Sequence, residues 1–173
     1  MKSLKSISTV LIMFLGITTS NAQKKTKISA RDFKPLIGTW EGSLTYLDYS
    51  SGKPYTMPAN LDIKQIRNTN QFLLSNIYPN EKSANSIDTL KISSDGKFIG
   101  KELVTSKKRL KDGSIEIITE REGTDGNDNK PAIIRYTYTI SNSLFTKRKD
   151  VQFQGEIAWI KRHEYTYRIN PSK

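Results

Sequence analysis

The chain has 173 residues, a formal net charge of +11, no cysteine and one histidine. The lack of cysteine excludes disulfides, thiolate catalysis and a cysteine-linked lipid anchor, and a single histidine excludes metal sites built from several histidines. The length is sufficient for one domain with an ordinary hydrophobic core, because a domain of about 150 residues buries roughly two-thirds of its unfolded surface.

Residues 1–22 have the three parts of a secretory signal peptide. Lys2 and Lys5 give a positive start, residues 10–17 are apolar, and small residues precede an expected cleavage after Ala22. The apolar run is shorter than the roughly 20 residues that cross a bilayer as a helix. We therefore expect a secreted or periplasmic product without a membrane span. Loss of the two lysines lowers its net charge from +11 to +9.

Residues 23–32 are polar and basic, which predicts a flexible arm in front of a single domain at 33–173. The domain opens with a short stretch that predicts one helical turn. Its apolar side chains are expected to cover one end of the domain; they are Phe33, Leu36 and Ile37.

From Gly38 onward, apolar and polar residues alternate with the two-residue period of a half-buried strand. Trp40, Leu44 and Tyr46 share one face of the first strand. Gly42 lies on the same face, where a missing side chain permits a sharp bend or a close backbone. The predicted strands are 38–47, 60–67, 71–78, 86–93, 97–105, 114–122, 132–140, 144–153 and 157–169.

The longest polar stretch between these strands, 123–131, predicts a mobile loop. It begins like a calcium loop, but Lys130 and Tyr136 stand where an EF-hand requires a glycine and a bidentate acid, so an exposed turn is favoured. About nine strands with short connections and no long helix favour an antiparallel barrel or sandwich.

The stretch Gly38-Thr39-Trp40, preceded by a helical turn, resembles the Gly-X-Trp motif that opens lipocalins and their calycin relatives. The resemblance implies an all-β fold, an antiparallel up-and-down barrel of about 8 to 10 strands with a short N-terminal helical turn. It also implies that Trp40 packs across the closed end of the barrel. A basic residue of the last strand, Arg162 or Arg168, is expected to lie against it.

The longer stretch 38–42 is also similar to the Gly-X-Trp-X-Gly opening of nitrobindin-like haem barrels, which bind haem through one histidine near the C-terminus. The only histidine here, His163, lies in the predicted last strand. The pattern departs at Leu44, where those barrels continue with another glycine, and in the residues that flank His163. The resemblance makes a haem binder one alternative function.

Strand alternation places aromatic and imidazole side chains together on one face of each of two late strands, 132–140 and 157–169. If these faces point inward, the interior has apolar walls and a few polar groups, which suits an amphipathic ligand, although packing without a ligand is an alternative. A bulge in the last strand would exchange the His163 face with the Arg162 face. The predicted ligand-binding residues are Trp40, Tyr136, Tyr138, His163, Tyr165 and Tyr167.

We therefore expect a monomeric protein that binds a small lipophilic or amphipathic molecule, with no catalysis, cofactor or metal. No Gly-X-Ser-X-Gly elbow is present, so a hydrolase is the weakest hypothesis. A further alternative is an interaction module whose basic outer surface binds an anionic polymer or a partner protein; export argues against nucleic acid. Its candidate clusters are 107–111, 147–149 and 161–162.

Overall fold

The computed structural model describes residues 26–48 and 51–169, so the predicted signal peptide lies outside the described residues. The described chain forms a nearly closed antiparallel barrel, which confirms the predicted all-β fold class. No helix in these two ranges is long and apolar enough to span a membrane. The strands are β1 (Gly38–Leu47), β2 (Pro54–Pro58), β3 (Asn60–Gln65), β4 (Gln71–Ile77), β5 (Ser86–Lys91), β6 (Phe98–Ile99), β7 (Glu102–Arg109), β8 (Ile115–Asp125), β9 (Lys130–Ile140), β10 (Leu144–Phe153) and β11 (Ile160–Ile169).

The sheet has the order β5-β4-β3-β1-β11-β10-β9-β8-β7-β6, and β2 pairs only with β1. The first and last strands are therefore neighbours in the middle of the sheet. Among the described residues, the two ends of the sheet are joined by a bridge between Ile92 and Ile99 and by backbone hydrogen bonds on either side of it, from the Gly100 amide to the Lys91 carbonyl at 2.7 Å and from the Ser93 amide to the Phe98 carbonyl at 3.0 Å. The barrel consequently has a gap between β5 and β7.

One end of the barrel is filled by the helical turn and the start of β1. The turn consists of α1 (Ala30–Phe33) and a 3-10 turn (Lys34–Leu36), and Phe33 and Leu36 are buried against the barrel. Trp40 is fully buried and donates its Nε1–H to the Leu36 carbonyl at 2.8 Å. Because the indole nitrogen has this partner, its burial carries no hydrogen-bonding penalty. This is the closed end of the barrel.

Packing begins before residue 33, the position at which the sequence predicted the domain to start. Ile28 is 4% exposed and its amide donates to the Gly96 carbonyl at 2.9 Å. Asp32 is also buried; it accepts a hydrogen bond from the Ser29 amide at 2.8 Å and pairs with Lys107 at 2.7 Å. The later part of the predicted arm is therefore docked on the barrel.

The sequence prediction missed one strand and merged two others. β2 was missed because it begins at Pro54 and ends at Pro58, and proline indicates a turn in sequence; the strand nonetheless pairs with the second half of β1. The predicted strand 97–105 is divided into β6 and β7, because Gly100 adopts a φ of +59° and turns the chain.

The prediction of a mobile loop at 123–131 was also wrong. β8 continues to Asp125 and β9 begins at Lys130, and the two residues are paired in the ladder. The turn between them is tight, with a φ of +76° at Gly126 and +51° at Asn129. Asparagine and glycine tolerate this left-handed conformation. The polar residues of this stretch therefore form the turn of a long hairpin.

Candidate functional site

A cavity of about 260 Å³ lies inside the barrel between two groups of buried side chains. Below it is the closed-end core, which contributes Leu61, Leu74 and Phe145 to the lining. Beyond it is a smaller apolar cluster formed by Ala132, Ile134 and Val151. Residues on both sides of the gap between β5 and β7 line the cavity, so the gap offers an entrance for a ligand.

Five tyrosines form much of the cavity wall: Tyr78 after β4, Tyr136 and Tyr138 from β9, and Tyr165 and Tyr167 from β11. The rings of Tyr165 and Tyr167 stack at 5.7 Å with 10° between their planes, because alternate residues of one strand share a face. Burial raises the pKa values of Tyr138, Tyr165 and Tyr167 far above the ordinary tyrosine value. The phenols are therefore neutral hydrogen-bonding groups at physiological pH.

Lys147 brings a cation into this aromatic wall. It lies on the same face of β10 as Phe145, and its Nζ is 5.2 Å from the centre of the Tyr136 ring and 5.9 Å from that of Tyr138. Among the described residues, its ammonium group has no hydrogen-bond acceptor and no ion-pair partner. Burial lowers the pKa of Lys147, and the charges of Asp88 and Glu102 oppose that shift.

Two carboxylates line the same cavity, and both have protein donors. Asp88 accepts a hydrogen bond from the Asn76 side-chain amide at 2.7 Å. Glu102 forms an ion pair with Arg121 at 3.3 Å. Of the two lysines in the lining, Lys91 is exposed to solvent, whereas Lys147 is half-buried and has no acceptor within the described chain.

A buried ion cluster closes the barrel interior beyond the cavity. Asp125 accepts hydrogen bonds of 2.6 Å from Lys149 Nζ and from Arg162 Nε, and the three side chains are 9%, 18% and 10% exposed. Burial opposes ionisation of Asp125, but its hydrogen bonds and the two positive charges outweigh burial and lower its pKa. The cluster is a satisfied structural element rather than an open site.

A bulge explains how Arg162 reaches that cluster. Lys149 pairs with His163 and Asp150 pairs with Lys161, so Arg162 is an extra residue in the ladder between β10 and β11. The sequence left open whether a bulge interrupts the alternation of this strand. Arg162, which the lipocalin resemblance placed near Trp40 as one of two candidates, binds Asp125 instead, and the other, Arg168, is exposed.

His163 lies beside the cavity but does not line it. Its ring makes an edge-on contact with Tyr165, with centroids 5.6 Å apart. Burial, together with the charges of Lys149 and Lys147, lowers the pKa of His163 to about 4. The imidazole is thus neutral at pH 7, but its position outside the lining does not fit a haem ligand in this cavity.

The structure brings four of the six predicted site residues together: Tyr136, Tyr138, Tyr165 and Tyr167 line one cavity, and their role in binding stays a prediction. Trp40 lies in the closed-end core and His163 next to the wall. Lys147 was missed as a site residue because it stands in a basic run. Its signal was the strand alternation that puts Lys147 in phase with the apolar Phe145 and Val151.

The basic runs that motivated a surface-binding alternative are divided between faces and largely paired with acids. Lys107 binds Asp32, Lys108 binds Glu116 at 2.9 Å, and Arg148 binds Asp150 at 2.7 Å. Lys149 and Arg162 share Asp125, and Lys161 pairs with Glu164. No observation on the described surface favours this alternative.

The sequence matches no known family model and no curated protein. The fold is similar to the crystal structure of Rv2717c from M. tuberculosis, at 12% identity and a TM-score of 0.48, over 84% of this chain and 99% of that one. It is also similar to the S-type phycobiliprotein lyase CPES from Guillardia theta, at 9% identity and a TM-score of 0.47, over 84% and 95%. A DUF3598-family protein of unknown function from Nostoc punctiforme matches at 13% identity and a TM-score of 0.38, over 83% and 50%.

Proposed function

We propose that this barrel binds a small lipophilic or amphipathic molecule in its interior cavity and performs no chemistry on it. The observation that carries the proposal is a cavity of about 260 Å³ whose wall combines apolar side chains with five tyrosines. Ligand pockets typically have apolar walls and a few convergent polar groups that orient the ligand. The volume lies just below the usual range of about 300–1,000 Å³, so the ligand is small.

The test is to look for a co-purifying molecule by native mass spectrometry of freshly purified protein, and to titrate the protein with 1-octanol and 3-phenyl-1-propanol. We expect a bound small molecule or saturable binding of at least one alcohol. A protein that carries no molecule and binds neither alcohol would contradict the proposal.

A matched pair of variants on β5 locates the binding site. Leu90→Trp places a larger side chain in the cavity lining, whereas Ile87→Trp adds the same ring to an outward side chain that is 72% exposed. We expect Leu90→Trp to lose binding and Ile87→Trp to retain it. Equal binding by both variants would place the ligand elsewhere on the protein.

We further propose that the protein is exported and that its leader is removed after Ala22. The support is the sequence alone: a positive start, a short apolar run and small residues before the cleavage position. N-terminal sequencing of protein recovered from outside the cytoplasm should begin at Gln23. Recovery of the intact Met1 terminus from the cytoplasm would contradict export.

A further inference from the structure

We infer that the molecule bound in the cavity is a monocarboxylate with a small apolar body, and that its carboxylate oxygens accept hydrogen bonds from the ammonium group of Lys147. This inference rests on the proposed function, because it specifies the ligand of the same cavity. The carboxylate is the shared chemistry, and the body is either an aliphatic chain or an aromatic ring.

Among the residues described, the ammonium group of Lys147 has unfilled hydrogen-bonding capacity. Its Nζ faces the rings of Tyr136 and Tyr138 at 5.2 and 5.9 Å, and the described chain gives it no acceptor. Aromatic faces attract a cation, but they fill none of its three N–H donors as a carboxylate oxygen does. A group that enters this cavity with a negative charge therefore gains charge-assisted hydrogen bonds that no residue of the described chain supplies.

Lys149, two residues along the same strand face, differs from Lys147 because it has an acidic partner. Lys149 holds a buried carboxylate, that of Asp125, at 2.6 Å. The fold thus supplies an internal acid to one inward lysine and leaves its neighbour facing the cavity without one. An internal acid at Lys147 would compete with an anionic ligand for the ammonium group.

Two carboxylates in the lining limit the charge that the ligand can carry. Asp88 and Glu102 line the same cavity and are held in place by Asn76 and Arg121. Their negative potential repels a group with two negative charges more strongly than one with a single charge. One compact anionic group therefore matches Lys147. The tyrosine rings, together with Leu61 and Leu74, accommodate the apolar body of the ligand.

The experiment compares each acid with the alcohol of the same skeleton by isothermal titration calorimetry at pH 7. The two pairs are octanoate with 1-octanol and 3-phenylpropanoate with 3-phenyl-1-propanol. We expect the acid to bind about tenfold more tightly than its alcohol in at least one pair, because a hydrogen bond to a charged group contributes on that order. The pair with the larger preference distinguishes an aliphatic ligand from an aromatic one.

The decisive variant is Lys147→Met, which retains most of the side-chain stem and removes the charge. It should bind the alcohols as the wild type does and lose the preference for the acids. Lys82→Met is the matched control, since Lys82 is exposed in the turn between β4 and β5 and does not line the cavity; it should retain the preference. Asp88→Asn should increase the affinity for the acids, because it removes a like charge from the lining.

The outcomes separate the inference from the proposed function. If the alcohols bind but the wild type shows no preference for the acids, or if Lys147→Met keeps that preference, the inference is wrong and the proposed function stands. If none of the four compounds binds, the inference is wrong, and if no small molecule co-purifies either, the proposed function is wrong as well. Lys147→Met should fold, because its removal leaves no buried carboxylate without a partner; an unchanged far-ultraviolet spectrum and a cooperative unfolding transition check this.

Discussion

The hydroxyl groups of Tyr78 and Tyr165 lie 2.9 Å apart and form a hydrogen bond across the interior of the barrel. Tyr78 follows β4, close to the free edge of the sheet, and Tyr165 belongs to β11 in its middle; β3 and β1 separate the two strands. Both rings line the cavity. The bond therefore fixes the position of the cavity wall on the side where the barrel is not closed.

Removal of this bond should weaken the fold without disrupting it. Tyr78→Phe keeps the ring and deletes one hydroxyl, which leaves the half-buried Tyr165 hydroxyl without its partner. We expect the free energy of unfolding to fall by about 1 kcal/mol, the usual net contribution of such a bond. Urea denaturation measures it. Tyr55→Phe, at an exposed tyrosine on β2, is the control, and a loss of the same size there would contradict the interpretation.

Gly42 allows β1 to lie directly against β11. A Cβ atom at this position would be 2.2 Å from the Thr166 carbonyl oxygen and 2.7 Å from a ring carbon of Tyr167. Gly42→Ala should therefore lower the free energy of unfolding by about 1–3 kcal/mol or more, because backbone atoms must move. Calorimetric unfolding would measure the loss.

Gly123→Ala is the matched control for that substitution. Gly123 is also a strand glycine, but the nearest atom to an added Cβ there is the end of the Arg121 side chain, at 2.4 Å. A flexible guanidinium group can rotate away, so the loss of stability should be smaller. If the two variants are equally unstable, the contact between β1 and β11 is not what requires a glycine at position 42.

Alternation predicted most of the strands because one face of each is buried. β9 was predicted at 132–140 and occupies Lys130–Ile140, and the expected close approach of backbone at Gly42 is present. β2 escaped prediction because proline is a turn signal in sequence, yet a strand end tolerates it when the missing N–H needs no partner. The residue preferences of a short segment do not show which neighbouring strand it can pair with.

The candidate site was harder to predict than the fold for a related reason. The tyrosine faces followed from alternation, but the bulge at Arg162 depends on pairing between two strands and has no local signature. Lys147 and Lys149 appear equivalent in sequence. Only the position of Asp125, more than twenty residues earlier, gives one of them a buried partner and leaves the other facing the cavity.

Asp125 should be essential for stability, because it compensates two buried cations. Asp125→Asn would leave Lys149 and Arg162 without their carboxylate, and loss of one member of a buried ion cluster costs about 3–5 kcal/mol. The control is Asp128→Asn, which breaks an exposed pair with Lys130 at 3.6 Å. Exposed pairs contribute about 0–1 kcal/mol. Urea denaturation that shows similar losses for both would contradict a structural role for the cluster.

His163 should make the protein less stable as the pH falls. Its pKa is lowered from 6.5 to about 4, chiefly by burial, so between these values the unfolded chain binds a proton that the native chain does not. Stability is therefore full above pH 6.5 and declines toward pH 4, by about 2 to 3 kcal/mol at pH 4.5 relative to pH 7.5. Urea denaturation at the two pH values measures this loss.

His163→Phe isolates the contribution of the imidazole, because it is the only histidine in the sequence. The variant keeps a ring against Tyr165 and cannot be protonated. It should lose less stability than the wild type between pH 7.5 and pH 4.5, while the carboxylates, including Asp125 with its lowered pKa, contribute equally to both proteins at still lower pH. An identical decline in the two proteins would show that His163 is protonated as easily in the native chain as in the unfolded one.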